Sequence, residues 1–317
     1  MLKTELTELF GIKKPIIQGG MAFAATPQLV AAVAEAGGLG ILPCVNYQTE
    51  DALQEAIEKT FSMTTGVWGL NIGTSWKPER VVQCMDAALR NKIPIVETSG
   101  ARPDSMKPII EKGVLCYHKV PAVKYAGKLK EYGYAAVATV GWQAGGHPGA
   151  FGTTSEMVCQ EASDRIGLPV IMGGGVYDGR GLAAALAYGA SAVLMGTRFL
   201  ASEEAEVSQG VKSWIINAKT TDTLMLGTSN PNRVAKNSCS CRLKELEQNG
   251  IEPEELAHIM VEKKRPAAWS DAAFEEYLQS MGMVCGLIGK IESCADIING
   301  MVLETEQTIG KLSAMKR

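Results

Sequence analysis

The chain has 317 residues, of which 46% are hydrophobic and 21% charged, and a formal net charge of -3. That balance suits a globular protein with a large buried core. It gives no reason to expect nucleic acid or an anionic membrane as a partner.

The chain opens on "MLKTELTELFGIKKP", which lacks the apolar core of a secretory signal, so a cytoplasmic location is expected. The longest apolar stretch, "GLAAALAYGASAVLMG", is broken by glycines and a tyrosine and reads as helix, turn and strand, not as a membrane span. The eight cysteines read as reduced thiols. Cys239 and Cys241 form the only close pair, and no second pair with zinc-ligand spacing accompanies them, so no metal is expected. "EKKRP" around Lys263 reads as a solvated helix end.

In chain order, "PIIQGGM" predicts a first strand entering a glycine loop. "TPQLVAAVAEAGG" follows as a helix, with Thr26 at its N-cap and Gly37 as its stop. "LGILPCV" is the second strand and "TEDALQEAIEKTF" the second helix. "VWGLNIG" is the third strand. "PERVVQCMDAALRNK" is the third helix, with Pro78 in its first turn. "IPIVETSG" and "DSMKPIIEKG" give the fourth strand and helix. "VLCYHKV" is the fifth strand, ahead of "AVKYAGKLKEYG". "YAAVATVGW" is the sixth, and it runs into "GWQAGGHPGAFG" and the helix "TSEMVCQEASDRIG". "PVIMGGG" and "GRGLAAALAYGA" are the seventh strand and helix, and "SAVLMGTRF" is the eighth strand.

Near-continuous apolar strands suit burial on both faces of a parallel sheet. Eight strand units without a switch point favour a (β/α)8 TIM barrel over the competing doubly wound open sheet. From residue 202 the pattern is helical. The expected organisation is a barrel over residues 1–201 and a helical C-terminal segment over 202–317, packed on the barrel as a lid.

In such a barrel the chemistry sits at the C-terminal ends of the strands, and a phosphate commonly lies between the loops after strands seven and eight. "GGGVYDG" and "MGTRF" offer bare backbone at both places, where N–H groups can turn toward an anion. Tight turns alone would also use glycine there. His147, in "AGGHPG", is one of only three histidines. It stands in a stretch unsuited to helix or strand, after the sixth strand.

In their order and spacing "PIIQGGM", "AGGLG", "GLNIG", "AGGHPG", "GGGVYDGRG" and "GASAVLMGTRF" resemble the nitronate monooxygenase family. That family was formerly called 2-nitropropane dioxygenase-like. It includes FMN-dependent NAD(P)H:quinone reductases and the FMN-dependent enoyl-acyl-carrier-protein reductase. The resemblance extends over the whole chain, and the tail, with "NRVAKN" and "SMGMVCGLI", is similar to the quinone-reductase branch. It implies a barrel with FMN at its mouth and NADH or NADPH as co-substrate, bound over the flavin, since no Rossmann fingerprint is present. Position by position it implies that Gly20 and Met21 lie along the isoalloxazine, that Asn71 contacts it and that Gly146 lines it. Lys119 would approach the ring's N1–C2=O edge. Gly174, Gly175, Gly196 and Thr197 would hold the phosphate. His147 would be the active-site histidine that takes or gives a proton.

Pro148 stands where the monooxygenase branch often has a basic residue, which tilts the choice toward a reductase of quinones or activated C=C bonds. Nitronate oxidation with O2, enoyl-ACP reduction and a phosphorylated substrate in place of FMN remain the alternatives. His118 ranks after His147, and His258 in the tail reads as structural. Glu97 is a buried acid at the barrel mouth. Asp178 and Arg180 suit a helix-start ion pair, and Arg198 reaches either a phosphate or a carboxylate under the rim. Met281 or Met283 would cap the flavin pocket, or the segment simply packs on the barrel. The expected partner is a small-molecule substrate, and the apolar tail leaves room for a homodimer contact.

Overall fold

A computed structural model describes residues 2–228, 230–264, 269–270 and 274–315. Eight parallel strands form a closed barrel: β1 (Ile16–Gln18), β2 (Leu39–Pro43), β3 (Trp68–Gly73), β4 (Ile95–Ser99), β5 (Leu115–Val120), β6 (Ala136–Val140), β7 (Val170–Gly173) and β8 (Ala192–Met195). β8 closes the ring on β1, with Leu194 opposite Ile17. The (β/α)8 expectation holds.

α1 (Glu5–Phe10) precedes β1, and around the barrel run α2 (Pro27–Glu35), α3 (Glu50–Met63), α4 (Pro78–Arg90), α5 (Lys107–Ile110), α6 (Ser155–Arg165), α7 (Gly179–Ala187) and α8 (Thr197–Leu200). Thr26 takes the N-cap position of α2, but its side chain makes no capping bond. "DSMKPIIEKG" does not form one helix. A 3-10 turn over Pro103–Met106 precedes the short α5. Pro108 lacks an N–H and fits only a first helical turn, so the helix restarts there.

The barrel interior is packed by alternate residues of the strands, among them Ile17, Ile41, Ile95, Tyr117, Ile171 and Leu194. Leu6, Phe10 and Ile12 belong to the same cluster. α1 and the residue pair after it therefore plug the end of the barrel opposite the glycine loops. The second and larger cluster lies between the barrel and its helices.

The C-terminal segment is not wholly helical, which corrects the sequence expectation. α9 (Gln209–Asn217) is followed by an antiparallel hairpin, β9 (Thr223–Leu226) and β10 (Asn232–Ala235). Four-residue strands joined by a loop without a two-residue turn signature leave little alternation to read. α10 (Ser238–Gln248) and α11 (Pro253–Glu262) pack on this hairpin around Leu226, Val234, Leu243, Leu256 and Met260. The helical expectation also fails over 274–290. Residues 271–273 lie outside the described ones, and the rest is turns and a 3-10 segment, Met283–Leu287. A Cβ at Gly286 would stand 1.9 Å from Thr220 N, so this backbone runs hard against its neighbour. α12 (Cys294–Ser313) returns to pack on α7 and α2 in the helical ring. None of the eight cysteines is in a disulfide. Among the described residues no helix is long and apolar enough to cross a membrane.

Candidate active site

Side chains alternate along a strand, so one parity of β3, β4 and β5 faces the barrel axis. Asn71 pairs in register with Glu97, and Glu97 with Tyr117. These three side chains therefore form one layer, above the apolar layer that includes Ile95. Lys119, two residues beyond Tyr117, forms the next layer toward the loops.

Glu97 is the hub of that floor and is fully buried. Its Oε1 accepts from Gly20 N at 3.0 Å, Asn71 Nδ2 at 2.9 Å and Lys119 Nζ at 2.8 Å. Its Oε2 accepts from the Tyr117 hydroxyl at 2.8 Å. Four donors, one of them cationic, compensate a carboxylate that burial alone would penalise. Burial and the Glu97 charge push the Tyr117 phenol well up, which keeps it a donor. A Cβ at Gly20 would lie 2.7 Å from Asn71 Cβ and 2.9 Å from Glu97 Oε1. Only glycine lets the backbone N–H come this close to the acid.

Above the floor opens a cavity of about 1380 Å³. Every site residue expected from the sequence lines it. Gly20 and Met21 come from the β1 loop, Asn71 from β3, Lys119 from β5 and Gly146 and His147 from the β6 loop. Gly174 and Gly175 follow β7, and Gly196 and Thr197 follow β8. At the far end Gly174 (φ +93°) and Gly175 (φ +78°) hold left-handed backbone conformations. The Thr197 hydroxyl accepts from Gly282 N at 2.9 Å.

His147 is held from the C-terminal segment. β10 pairs with the β6 loop through Arg233 N to Gly146 O, 2.7 Å, and Gly146 N to Arg233 O, 3.0 Å. Asn232 Nδ2 stands 3.0 Å and Lys264 Nζ 3.3 Å from His147 Nε2. Amide and ammonium nitrogens only donate, so Nε2 accepts and the ring proton sits on Nδ1. Burial first, then the Lys264 charge, lower the imidazole to about 4, against donation to the Pro231 carbonyl. Burial lowers the Lys264 ammonium to about 8. Asn232 Oδ1 is buried without a partner among the described residues.

His118 also lines the cavity, with Nδ1 2.7 Å from Thr98 Oγ1 and Nε2 3.1 Å from Gly100 O. Burial lowers it to about 4. His258 is exposed on α11, 3.4 Å from Glu262. Arg198 is buried and pairs with Glu292 and with Lys290 O at 3.1 Å, beneath the rim. Asp178 caps α7 at Gly181 N, 2.9 Å, and accepts from Arg180 Nε at 2.7 Å.

Two expectations need correction. "EKKRP" is not merely a solvated helix end, because Lys264 reaches the cavity and His147. Met281 is fully buried in the core; from that segment Ser280, Gly282 and Val284 line the cavity instead of the methionines. Asn232 and Lys264 were missed as site residues. "NRVAKN" holds the first and a basic run the second, but nothing local ties either to His147. The rim also carries Lys124, whose ammonium lies 4.3 Å from the Phe151 ring centroid and 5.1 Å from that of Tyr125.

The model of the nitronate monooxygenase family matches residues 3–80 and 73–304 of the chain. A (3aS,4S,5R,7aS)-5-hydroxy-7a-methyl-1-oxo-octahydro-1H-indene-4-carboxyl-CoA dehydrogenase from Rhodococcus jostii is 40% identical over 214 residues, covering 67% of this chain and 59% of that protein. A probable nitronate monooxygenase from Staphylococcus saprophyticus is 32% identical over 283 residues, covering 74% of this chain and 79% of that protein. The structure of FabK from Thermotoga maritima superposes with a TM-score of 0.92 at 32% identity, over 99% of both chains.

Proposed function

The chain belongs to the nitronate monooxygenase family of oxidoreductases, and we propose that it is an FMN-dependent reductase. In this reading it passes hydride from NADH or NADPH to an electron-poor acceptor, a quinone or an activated C=C bond. The observation that carries the reading is the Lys264–His147 contact at 3.3 Å on the cavity wall. It sets an ammonium proton source behind a neutral imidazole. Reduction of a C=C bond needs both hydride and a proton, whereas oxidation of an already anionic nitronate needs no donor.

The cavity fits the cofactor and more. Ligand sites usually span about 300–1,000 Å³, and this one, at about 1380 Å³, has room for a mononucleotide and a second ligand. Bound FMN supplies the hydride acceptor and donor. Gly174, Gly175, Gly196 and Thr197 would hold its phosphate with backbone N–H groups and a hydroxyl, while Gly20, Met21, Asn71, Lys119 and Gly146 would line its ring. His147 would orient the acceptor and give it the Nδ1 proton, while Nε2 takes one from the Lys264 ammonium. Similarity to FabK over 99% of both chains supports a reductase. Similarity to a protein named as a carboxyl-CoA dehydrogenase supports an acyl-CoA thioester among the substrates.

The test is steady-state oxidation of NADH and NADPH by the FMN-loaded protein, with an enoyl thioester or a quinone offered under nitrogen. Acceptor-dependent oxidation of either nucleotide is expected. Turnover of an alkyl nitronate with O2, with neither nucleotide oxidised, would make the protein a nitronate monooxygenase instead.

A further inference from the structure

Glu97 does more than fill the barrel. Its four hydrogen bonds gather Gly20, Asn71 and Lys119, three of the residues read as the flavin's surroundings, onto one carboxylate, with Tyr117 behind it. The Lys119 side chain is 20% exposed and that of Glu97 not at all. Lys119, which faces the cavity, is thus half of a contact ion pair whose other half lies just beneath it.

We propose that Glu97 is a positioning residue that tunes the cofactor's redox balance, presenting Lys119 to the flavin as part of a neutral pair and not as a free positive charge. The inference rests on the FMN reading above. Reduction adds negative charge to the flavin, and a bare lysine beside it would favour the reduced form strongly. Glu97 opposes this, because a buried negative charge 2.8 Å from that ammonium acts against added electrons. It also fixes where the ammonium stands, and it pins the Gly20 backbone and the Asn71 amide at the same level. A residue with only a packing role would affect folding and cofactor affinity, not the balance between oxidised and reduced flavin in opposite senses.

The experiment is a spectroelectrochemical titration of the FMN-loaded wild type, Glu97→Gln, Lys119→Gln and the double variant, with FMN dissociation constants measured alongside. Glu97→Gln is expected to shift the two-electron equilibrium toward reduced flavin by about tenfold, or about 30 mV upward in midpoint potential. Lys119→Gln is expected to shift it about as far the other way. The double variant replaces a neutral ion pair with a neutral amide pair and is expected to return to within about threefold of wild type. If Glu97→Gln alone does not fold, the comparison of Lys119→Gln with the double variant still decides: an upward shift of about tenfold on adding the second substitution supports the proposal. A Glu97 substitution that leaves the potential unchanged, or that moves it in the same direction as Lys119→Gln, overturns it. Wild-type protein that takes up no FMN defeats the cofactor reading itself, and the proposal with it, before any variant is measured.

Discussion

Lys264 Nζ stands 3.3 Å from His147 Nε2, although 117 positions separate the two in the chain. The contact joins the cap formed by the hairpin and α11 to the glycine loop after β6. It brings the cap into direct contact with the candidate proton-transfer residue. Lys264 is lowered to about 8 and is the charged neighbour that most lowers His147, with Lys119 a smaller influence. Acceptor reduction should therefore fall as pH rises through about 8, where the ammonium loses its proton. In Lys264→Met the rate should be lower throughout and this alkaline limb absent, while Lys264→Arg, which stays charged, should move the limb upward. A kcat profile across the neutral and alkaline range reads this. An unchanged limb in Lys264→Met would remove the lysine from the proton path.

His147→Gln should cost acceptor reduction about 10²-fold or more, the usual scale for losing a general acid. Reduction of the flavin by nicotinamide, which needs no proton from this side, should change by less than about threefold. Single-turnover measurement of the two half-reactions separates them.

His118 and His147 both titrate near 4 in the folded protein, down from 6.5. The unfolded chain then binds more protons as pH drops below 6.5, so stability should fall between 6.5 and about 4 and level off below that. Each imidazole contributes at most about 3 kcal/mol to that loss. Urea unfolding at several pH values checks this, and His118→Asn should flatten the slope by roughly half.

Gly174→Ala should weaken FMN binding by about tenfold or more, since a side chain is strained at φ +93° and its Cβ would stand 2.9 Å from Ala144 Cβ. Gly113→Ala is the control. Its φ is also positive, at +90°, but it lies away from the cavity with nothing near its Cβ. It should cost stability and leave the FMN dissociation constant alone.

Leu6 is fully buried at the foot of the barrel. Leu6→Ala should destabilise the protein by about 2–5 kcal/mol, the range for emptying a core leucine site. Flavin uptake at low temperature should be unaffected. Denaturant unfolding with FMN titration tests both.

The barrel was legible because each strand is a short apolar run, most of them closed by glycines, and the structure gives a strand at each place expected. The cavity residues were legible for the same reason: they sit where strands end, Lys119 directly after an apolar run and His147 as a scarce histidine among glycines. Glu97 was visible as an acid ending an apolar strand, but its four partners come from separate strands and appear only when the barrel closes. The hairpin was not legible, since β9 and β10 are four residues each and pair with little alternation. Asn232 and Lys264 depend on that hairpin to reach His147. A lysine in a basic run carries no local mark of burial, and its environment is set by tertiary contact alone.

The most direct measurement is anaerobic stopped-flow bleaching of the FMN-loaded protein's flavin absorbance, mixed separately with NADH, NADPH and an alkyl nitronate. A reductase predicts fast bleaching by at least one nicotinamide nucleotide and slow or no bleaching by nitronate. Fast bleaching by nitronate alone would contradict the account.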